Sequence, residues 1–168
     1  MRIAICDDEV SMVQILEEKI KKLLPDAVIE KYLSGDELIA SGSKPDILFL
    51  DIQMPGITGI EFARTISKKT LVIFTTAYTE YALDSYEVDA IDYLIKPVEA
   101  ERFQKAVDKA LSYHSLLLKE EKEAIETIVA AEYFFVKAER RYFKVNFSDI
   151  LFIELSLIHI SEPTRRRG

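Results

Sequence analysis

The stretch Asp46-Ile47-Leu48-Phe49-Leu50-Asp51, with the turn Gln53-Met54-Pro55-Gly56 close behind it, decides the fold of this chain. A short, unbroken apolar run bounded by a Pro-Gly turn has the pattern of a parallel-sheet strand buried on both faces. The Asp51 carboxylate then stands at the carboxyl end of that strand, in the kind of crevice where open α/β sheets bind ligands. Three other apolar runs end in groups of the same use. Arg2-Ile3-Ala4-Ile5-Cys6 runs into Asp7-Asp8, Leu71-Val72-Ile73-Phe74-Thr75 into Thr76-Ala77, and Ile91-Asp92-Tyr93-Leu94-Ile95 into Lys96-Pro97. Three carboxylates, a hydroxyl and an ammonium at one sheet edge are the equipment for holding a divalent cation and a phosphoryl group.

Outward from these runs, five apolar segments alternate with five of helical period, which predicts βαβ units around a parallel sheet. Val10, Val13, Leu16, Ile20 and Leu23 form the apolar stripe of a first helix that Pro25 stops. Ala27 to Tyr32 alternates as a more exposed second strand. Ser34-x-x-Glu37 and Thr58-x-x-Glu61 are capping boxes for the second and third helices, the third burying Ile60, Ala63 and Ile66. Glu80 to Val88 is a short, weakly amphipathic helical segment, whose low packing suits a shift between states. From Glu99, Phe103, Ala106, Val107, Ala110 and Leu111 mark a fifth helical segment that runs toward the charged linker Lys119 to Glu126.

Composition narrows the class. A 168-residue chain with 49% hydrophobic residues exceeds one ordinary domain and has ample material for a core. The formal charge of -7 lies wholly in residues 1–118, while 119–168 balance, which argues against nucleic-acid binding by the first part alone. No apolar run reaches membrane-spanning length and the N-terminus enters a strand at once, so a cytoplasmic protein without signal peptide or membrane contact is expected. The single cysteine, Cys6, is expected to be a buried inert thiol.

At these positions residues 1–118 resemble the receiver domain of two-component response regulators, on Asp7-Asp8, Asp51 with Met54-Pro55-Gly56, Thr76-Ala77 and Lys96-Pro97 in combination. The resemblance implies an α/β, flavodoxin-like (βα)5 receiver with a central parallel five-stranded sheet in the order 2-1-3-4-5. It implies that Asp51 is the phosphoacceptor for a sensor histidine kinase, and that Mg²⁺ is held by Asp7, Asp8, Asp51 and the backbone carbonyl of Gln53. Thr76 and Lys96 would bind phosphoryl oxygens, Thr76 and Tyr93 would switch with the phosphorylated state, and Lys96-Pro97 would be a cis peptide. A homodimer through the fourth helix, fifth strand and fifth helix is the corresponding partner expectation. The chemistry suits these residue types: Mg²⁺ prefers oxygen ligands and retains waters, and a lysine supplies a mobile point charge for a phosphoryl group.

After a helical linker at 119–132 the character changes. Tyr133-Phe134-Phe135-Val136, Tyr142-Phe143-Lys144-Val145 and Ile150-Leu151-Phe152-Ile153, with a polar turn at Glu139-Arg140, predict strands of an all-β module. Residues 133–155 resemble the start of a LytTR-type DNA-binding domain, from Phe135-Val136-Lys137 to Asp149-Ile150-Leu151-Phe152-Ile153-Glu154. The resemblance breaks after Leu155, so the module is expected to be truncated and residues 156–168 to be a non-native tail. Transcription regulation by DNA binding is therefore an expectation for a longer parent protein, and no DNA-contacting residue is carried over.

Plainer roles compete for each residue. Asp7 or Asp8 alone would serve as a helix N-cap, Asp46 and Asp92 illustrate acidic residues that merely flank strands, and Tyr93 alone would be a packed strand aromatic. His114 and His159 lack a carboxylate or cysteine at ligand spacing, and Arg165-Arg166-Arg167 is a terminal run of the disordered kind. Among other function classes, an aspartyl-phosphate hydrolase resembling the haloacid dehalogenases needs Asp-x-Asp, and here Gln53, which cannot exchange protons, occupies the second position. That favours a stored phosphoryl group over turnover, so the protein is not expected to be an enzyme beyond slow autodephosphorylation. Gly-rich nucleotide loops are absent, and a receiver acting only through protein contacts is the remaining alternative. Residues 1–118 should be more soluble than 1–168, whose Phe134, Phe135, Phe143 and Phe152 favour edge pairing. Neither should form a sequence-specific complex in a mobility-shift assay with competitor DNA at physiological salt.

Overall fold

The computed structural model describes residues 1–77, 89–130, 133–138 and 141–146, with side chains to residue 125. The chain divides into two units, Met1–Leu118 and Lys119–Gly168. In the first, β1 (Arg2–Cys6), α1 (Val10–Leu23), β2 (Val28–Tyr32), α2 (Gly35–Ser41), β3 (Ile47–Asp51), α3 (Gly59–Ala63), β4 (Leu71–Thr76) and β5 (Asp92–Ile95) precede α4, which begins at Ala100 and continues to Ala130. The strands form one parallel sheet in the order β2-β1-β3-β4-β5, giving the flavodoxin-like fold. The expected fourth helix, Glu80 to Val88, lies outside the described residues.

Alternation of side chains along the strands sends apolar residues to both faces. One face packs Ile3, Ile5, Phe49 and Ile73 against Val13, Leu16 and Ile20 of α1 and Phe103, Ala106, Val107 and Ala110 of α4. Phe103 stacks on Phe49 at 5.4 Å between ring centres. The other packs Ala4, Leu48, Leu50, Val72 and Phe74 against Leu38 of α2 and Phe62 of α3. Burying a large apolar side chain stabilises the fold by roughly 1.5–3 kcal/mol.

Three expectations need correction. Val10, the first residue of α1, is 54% exposed, and Met12 and Val13 are the first side chains of the helix to reach the core. The third helix has only five residues and buries Phe62, while Ile60, Ala63 and Ile66 pack at its margin. At α2 the Ser34 hydroxyl accepts from Glu37 N, but the Glu37 carboxylate accepts from Leu33 N at 2.8 Å instead of closing the box on Ser34. The Thr58–Glu61 box is complete. Asp46 and Asp92 also do more than flank: Asp46 Oδ2 accepts from Arg2 N at 2.7 Å, and Arg102 of α4 clamps Asp92, donating to its Oδ2 at 2.9 Å.

The second unit is described over β6 (Tyr133–Ala138) and β7 (Arg141–Asn146), paired antiparallel from Tyr133↔Asn146 to Ala138↔Arg141. The expected turn at 139–140, the strand at Ile150–Ile153, His159 and the tail 156–168 lie outside the described residues.

Two glycines shape the loop beyond β3. Gly56 has φ +87°, the left-handed region that a side chain resists, and allows the turn after Met54-Pro55. At Gly59 a Cβ would stand 2.1 Å from the Asp51 carbonyl oxygen, so only glycine lets α3 start this close to the strand end. Gly59→Ala should lower stability by about 1–3 kcal/mol or more in urea unfolding, whereas an unchanged midpoint would show that the loop relaxes freely.

Candidate functional site

The site follows from strand order. β1 and β3 are neighbours and the chain leaves them in opposite directions, so their carboxyl ends open a crevice at the topological switch point. Asp51 is the last residue of β3, and Asp7 and Asp8 follow β1. One carboxylate oxygen from each of Asp7, Asp8 and Asp51 lies within 4.8 Å of the others. Asp7 and Asp51 are buried and Asp8 is exposed, so the cluster is open on one side.

Lys96 comes from farther away. It follows β5, two strand spacings of about 4.8 Å from β3, a gap that only a long flexible stem crosses. Its Nζ lies 2.8 Å from Asp7 Oδ2, 3.0 Å from Glu9 Oε1 and 3.4 Å from Asp51 Oδ2. The contact with Asp7 Oδ2 is an ion pair outside hydrogen-bond angles, leaving that buried oxygen without an oriented donor. Lys96 N donates to the Thr76 carbonyl at 2.7 Å, which joins the ends of β4 and β5, and Lys96-Pro97 is cis. Thr76 is fully buried at the end of β4.

Electrostatics here are set by burial. Asp51 is raised from 3.8 to about 6, by desolvation first and the Asp7 charge second, with Lys96 opposing. Asp7 is also raised, because desolvation outweighs the Lys96 ammonium and the Glu9 N–H that it accepts. Burial works against the Lys96 charge, but the carboxylates around it prevail and hold it above the ordinary value. Cys6, buried beside Met54 Sδ at 3.6 Å, is pushed up to about 12 by desolvation, as befits an inert thiol.

The structure thus brings Asp7, Asp8, Asp51 and Lys96 together, with Thr76 tied to Lys96 through the main chain. Tyr93 is half-buried on β5 against the α2/α3-side core. Gln53 is exposed, and its main-chain N–H donates to Asp51 Oδ1 at 3.4 Å. The N-cap of α1 is Glu9, not Asp7 or Asp8, and it caps with no side-chain bond. Asp7 Oδ1 instead accepts from Glu9 N at 2.9 Å. Glu9 and Gly59 escaped the sequence reading: a glutamate after two aspartates carries no local signal, and the glycine's need is set by a strand end eight residues away. His114, which has no carboxylate at ligand spacing in the sequence, lies with Nε2 3.6 Å from Asp46 Oδ1, 68 residues away.

Fold and site define an open parallel α/β sheet with an acidic crevice at its carboxyl edge that could hold a metal ion, and comparison with known proteins gives the family. The profile of the response regulator receiver domain matches residues 3–108, and the chain belongs to that family. It is 36% identical over 118 residues to the sensory transduction protein LytT of Bacillus subtilis, covering 65% of this chain and 47% of LytT. It is likewise 36% identical over 116 residues to the positive alginate biosynthesis regulatory protein of Pseudomonas aeruginosa, covering 66% and 47%. An uncharacterized response regulatory protein of Vibrio cholerae is 51% identical over 73 residues, 42% of this chain and 31% of that protein. The chain therefore spans half or less of the length of these relatives. Among solved structures it is similar to the response regulator TrrA of Thermotoga maritima, in complex with Mg²⁺-BeF, at 31% identity and TM-score 0.57, covering 65% of this chain and 97% of that one. The response regulatory domain of mrkE from Klebsiella pneumoniae matches at 25% identity and TM-score 0.63, covering 69% and 99%. The LytT and alginate-regulator likenesses are consistent with a receiver followed by a LytTR-type output module. No helix among the described residues is long and apolar enough to cross a membrane.

A carboxyl whose pKa is higher folded than unfolded holds its proton better in the folded state, so stability falls as pH rises through the interval between the two values. In chelator the melting temperature should therefore decline between about pH 4 and pH 6 as Asp51 ionises beside Asp7. Asp51→Asn should melt higher at pH 7 and show a flatter profile. Parallel profiles for the two proteins in thermal unfolding would assign the pH dependence elsewhere.

Proposed function

We propose that this receiver accepts a phosphoryl group on Asp51 from a phosphohistidine of a sensor kinase and stores it as a signal. The observation that carries the reading is the meeting of three carboxylates within 4.8 Å, with the Lys96 ammonium 3.4 Å from Asp51 Oδ2. An Asp51 oxygen forms the new P–O bond as the P–N bond breaks, and the imidazole leaves with the electron pair and takes up a proton. Asp7, Asp8, Asp51 and the Gln53 carbonyl are the oxygen donors that would hold Mg²⁺, a fit supported by the open side at Asp8 and by the Asp7 Oδ2 without an oriented donor. When bound, the ion neutralises negative charge at the phosphoryl oxygens. Lys96 adds a point charge there, and the Thr76 hydroxyl donates to another oxygen.

The switch runs from Thr76 to Tyr93. Phe74 pairs with Tyr93 in the sheet register, and Thr76, two residues on, falls on the same face. Contacts that exist only with the phosphoryl group in place then shift the population toward a second arrangement. Gln53 supplies no acid or base for hydrolysis, so the mark persists and the protein acts as a switch with at most slow autodephosphorylation. In domain terms, 1–118 is the receiver, 119–132 a helical linker, 133–155 the start of a LytTR-type module and 156–168 a non-native tail. The longer parent is a cytoplasmic transcription regulator that binds DNA through the completed module and dimerises through the β5 face with its flanking helices.

With Mg²⁺ and a small phosphodonor, intact-mass measurement should find one added phosphoryl group on the wild type and none on Asp51→Asn. Lys96→Ala should accept some phosphate without the conformational response. Equal labelling of wild type and Asp51→Asn would refute the assignment.

A further inference from the structure

One of the three carboxylates on Lys96 Nζ stands outside the proposed phosphoryl site. Glu9 Oε1 at 3.0 Å is nearer than Asp51 Oδ2 at 3.4 Å. Its side chain is 59% exposed, against 11% for Lys96 and 0% for Asp7, so it sits at the mouth of the pocket. The Glu9 main chain is held in place from two directions. Glu9 N donates to Asp7 Oδ1 at 2.9 Å, and its carbonyl accepts from Val13 N at 3.1 Å as the first bond of α1. The carboxylate is thus presented to Lys96 from a backbone tied to the same aspartate that pairs with Lys96. Of the three contacts the one to Glu9 is the oriented hydrogen bond, whereas Asp7 Oδ2 lies outside hydrogen-bond angles and Asp51 Oδ2 is the farthest of the three. Drawing the ammonium toward a phosphoryl group on Asp51 therefore turns it away from Glu9, whose exposed carboxylate water can serve instead.

Resting on phosphoryl transfer to Asp51, we infer that Glu9 is a positioning residue acting through Lys96: it holds the ammonium at the pocket mouth in the unphosphorylated protein and releases it as the phosphoryl group arrives. A contact made in the ground state and lost in the transition state raises the barrier. Removing it therefore speeds phosphorylation. Reach and charge are separable here. Glu9→Gln keeps the length and loses the charge, whereas Glu9→Asp keeps the charge and is one methylene too short for the contact.

The rate of Asp51 phosphorylation by acetyl phosphate, at saturating Mg²⁺ in the 168-residue protein, tests this by intact mass for the wild type and both variants. Both variants should be about two- to fivefold faster, the worth of a partly exposed ion pair, in the maximal rate and not in the half-saturating donor concentration. Circular dichroism checks that each variant is folded. Acceleration confined to Glu9→Gln would identify a simple charge effect on an anionic donor and overturn the latch, as would equal rates for all three proteins. A wild type that takes no phosphoryl group on Asp51 would overturn the phosphoacceptor reading and the latch with it.

Discussion

Two aspartates of like charge are buried side by side at the end of a sheet, and the ammonium of Lys96 is the countercharge drawn in to them. Asp7 and Asp51 are 0% and 4% exposed, so neither is relieved by bulk water. Their repulsion is of the order of 1–4 kcal/mol at effective dielectrics typical of such sites, and desolvation adds to it, which is why both carboxyls are held above the ordinary range. The strand order sets this arrangement. β1 beside β3 brings the aspartates together, and β5 two places away requires a side chain of lysine length to reach them.

A site under this strain persists because the sheet beneath it is apolar on both faces. Ile5, Phe49 and Ile73 on one side and Leu48, Leu50 and Phe74 on the other are essentially inaccessible. At roughly 1.5–3 kcal/mol for each large buried side chain, a few of them offset the charge repulsion. Smaller devices then hold the strand ends in place: Asp46 accepts from Arg2 N at the start of β3, Arg102 clamps Asp92 at the start of β5, and Gly59 lets α3 come down on the Asp51 carbonyl.

The elements themselves were legible because their signals are local. The apolar strand runs of residues 1–118, the Thr58–Glu61 box and the Phe103-to-Ala110 stripe are each read from a few neighbouring residues, and each stands in the structure where the pattern puts it. Errors fell at the element ends. Val10 has helical periodicity with the core stripe yet is exposed at the first position of α1, and periodicity carries no information on where the layer beneath a helix stops. Phe62 outweighs Ile60, Ala63 and Ile66 for the same reason, since a five-residue helix buries whichever side chain points at the sheet.

The sequence by itself determined the parallel α/β sheet and the row of reactive groups at its edge, because a strand and the turn that ends it are written in consecutive residues. Only the tertiary structure decided which of those groups meet. Glu9 and Lys96 are 87 positions apart, Asp46 precedes β3 while His114 lies on the distant α4, and Gly59 answers to a carbonyl in another element. Such proximities depend on strand order and on how far each side chain reaches across the sheet. No local pattern records either quantity.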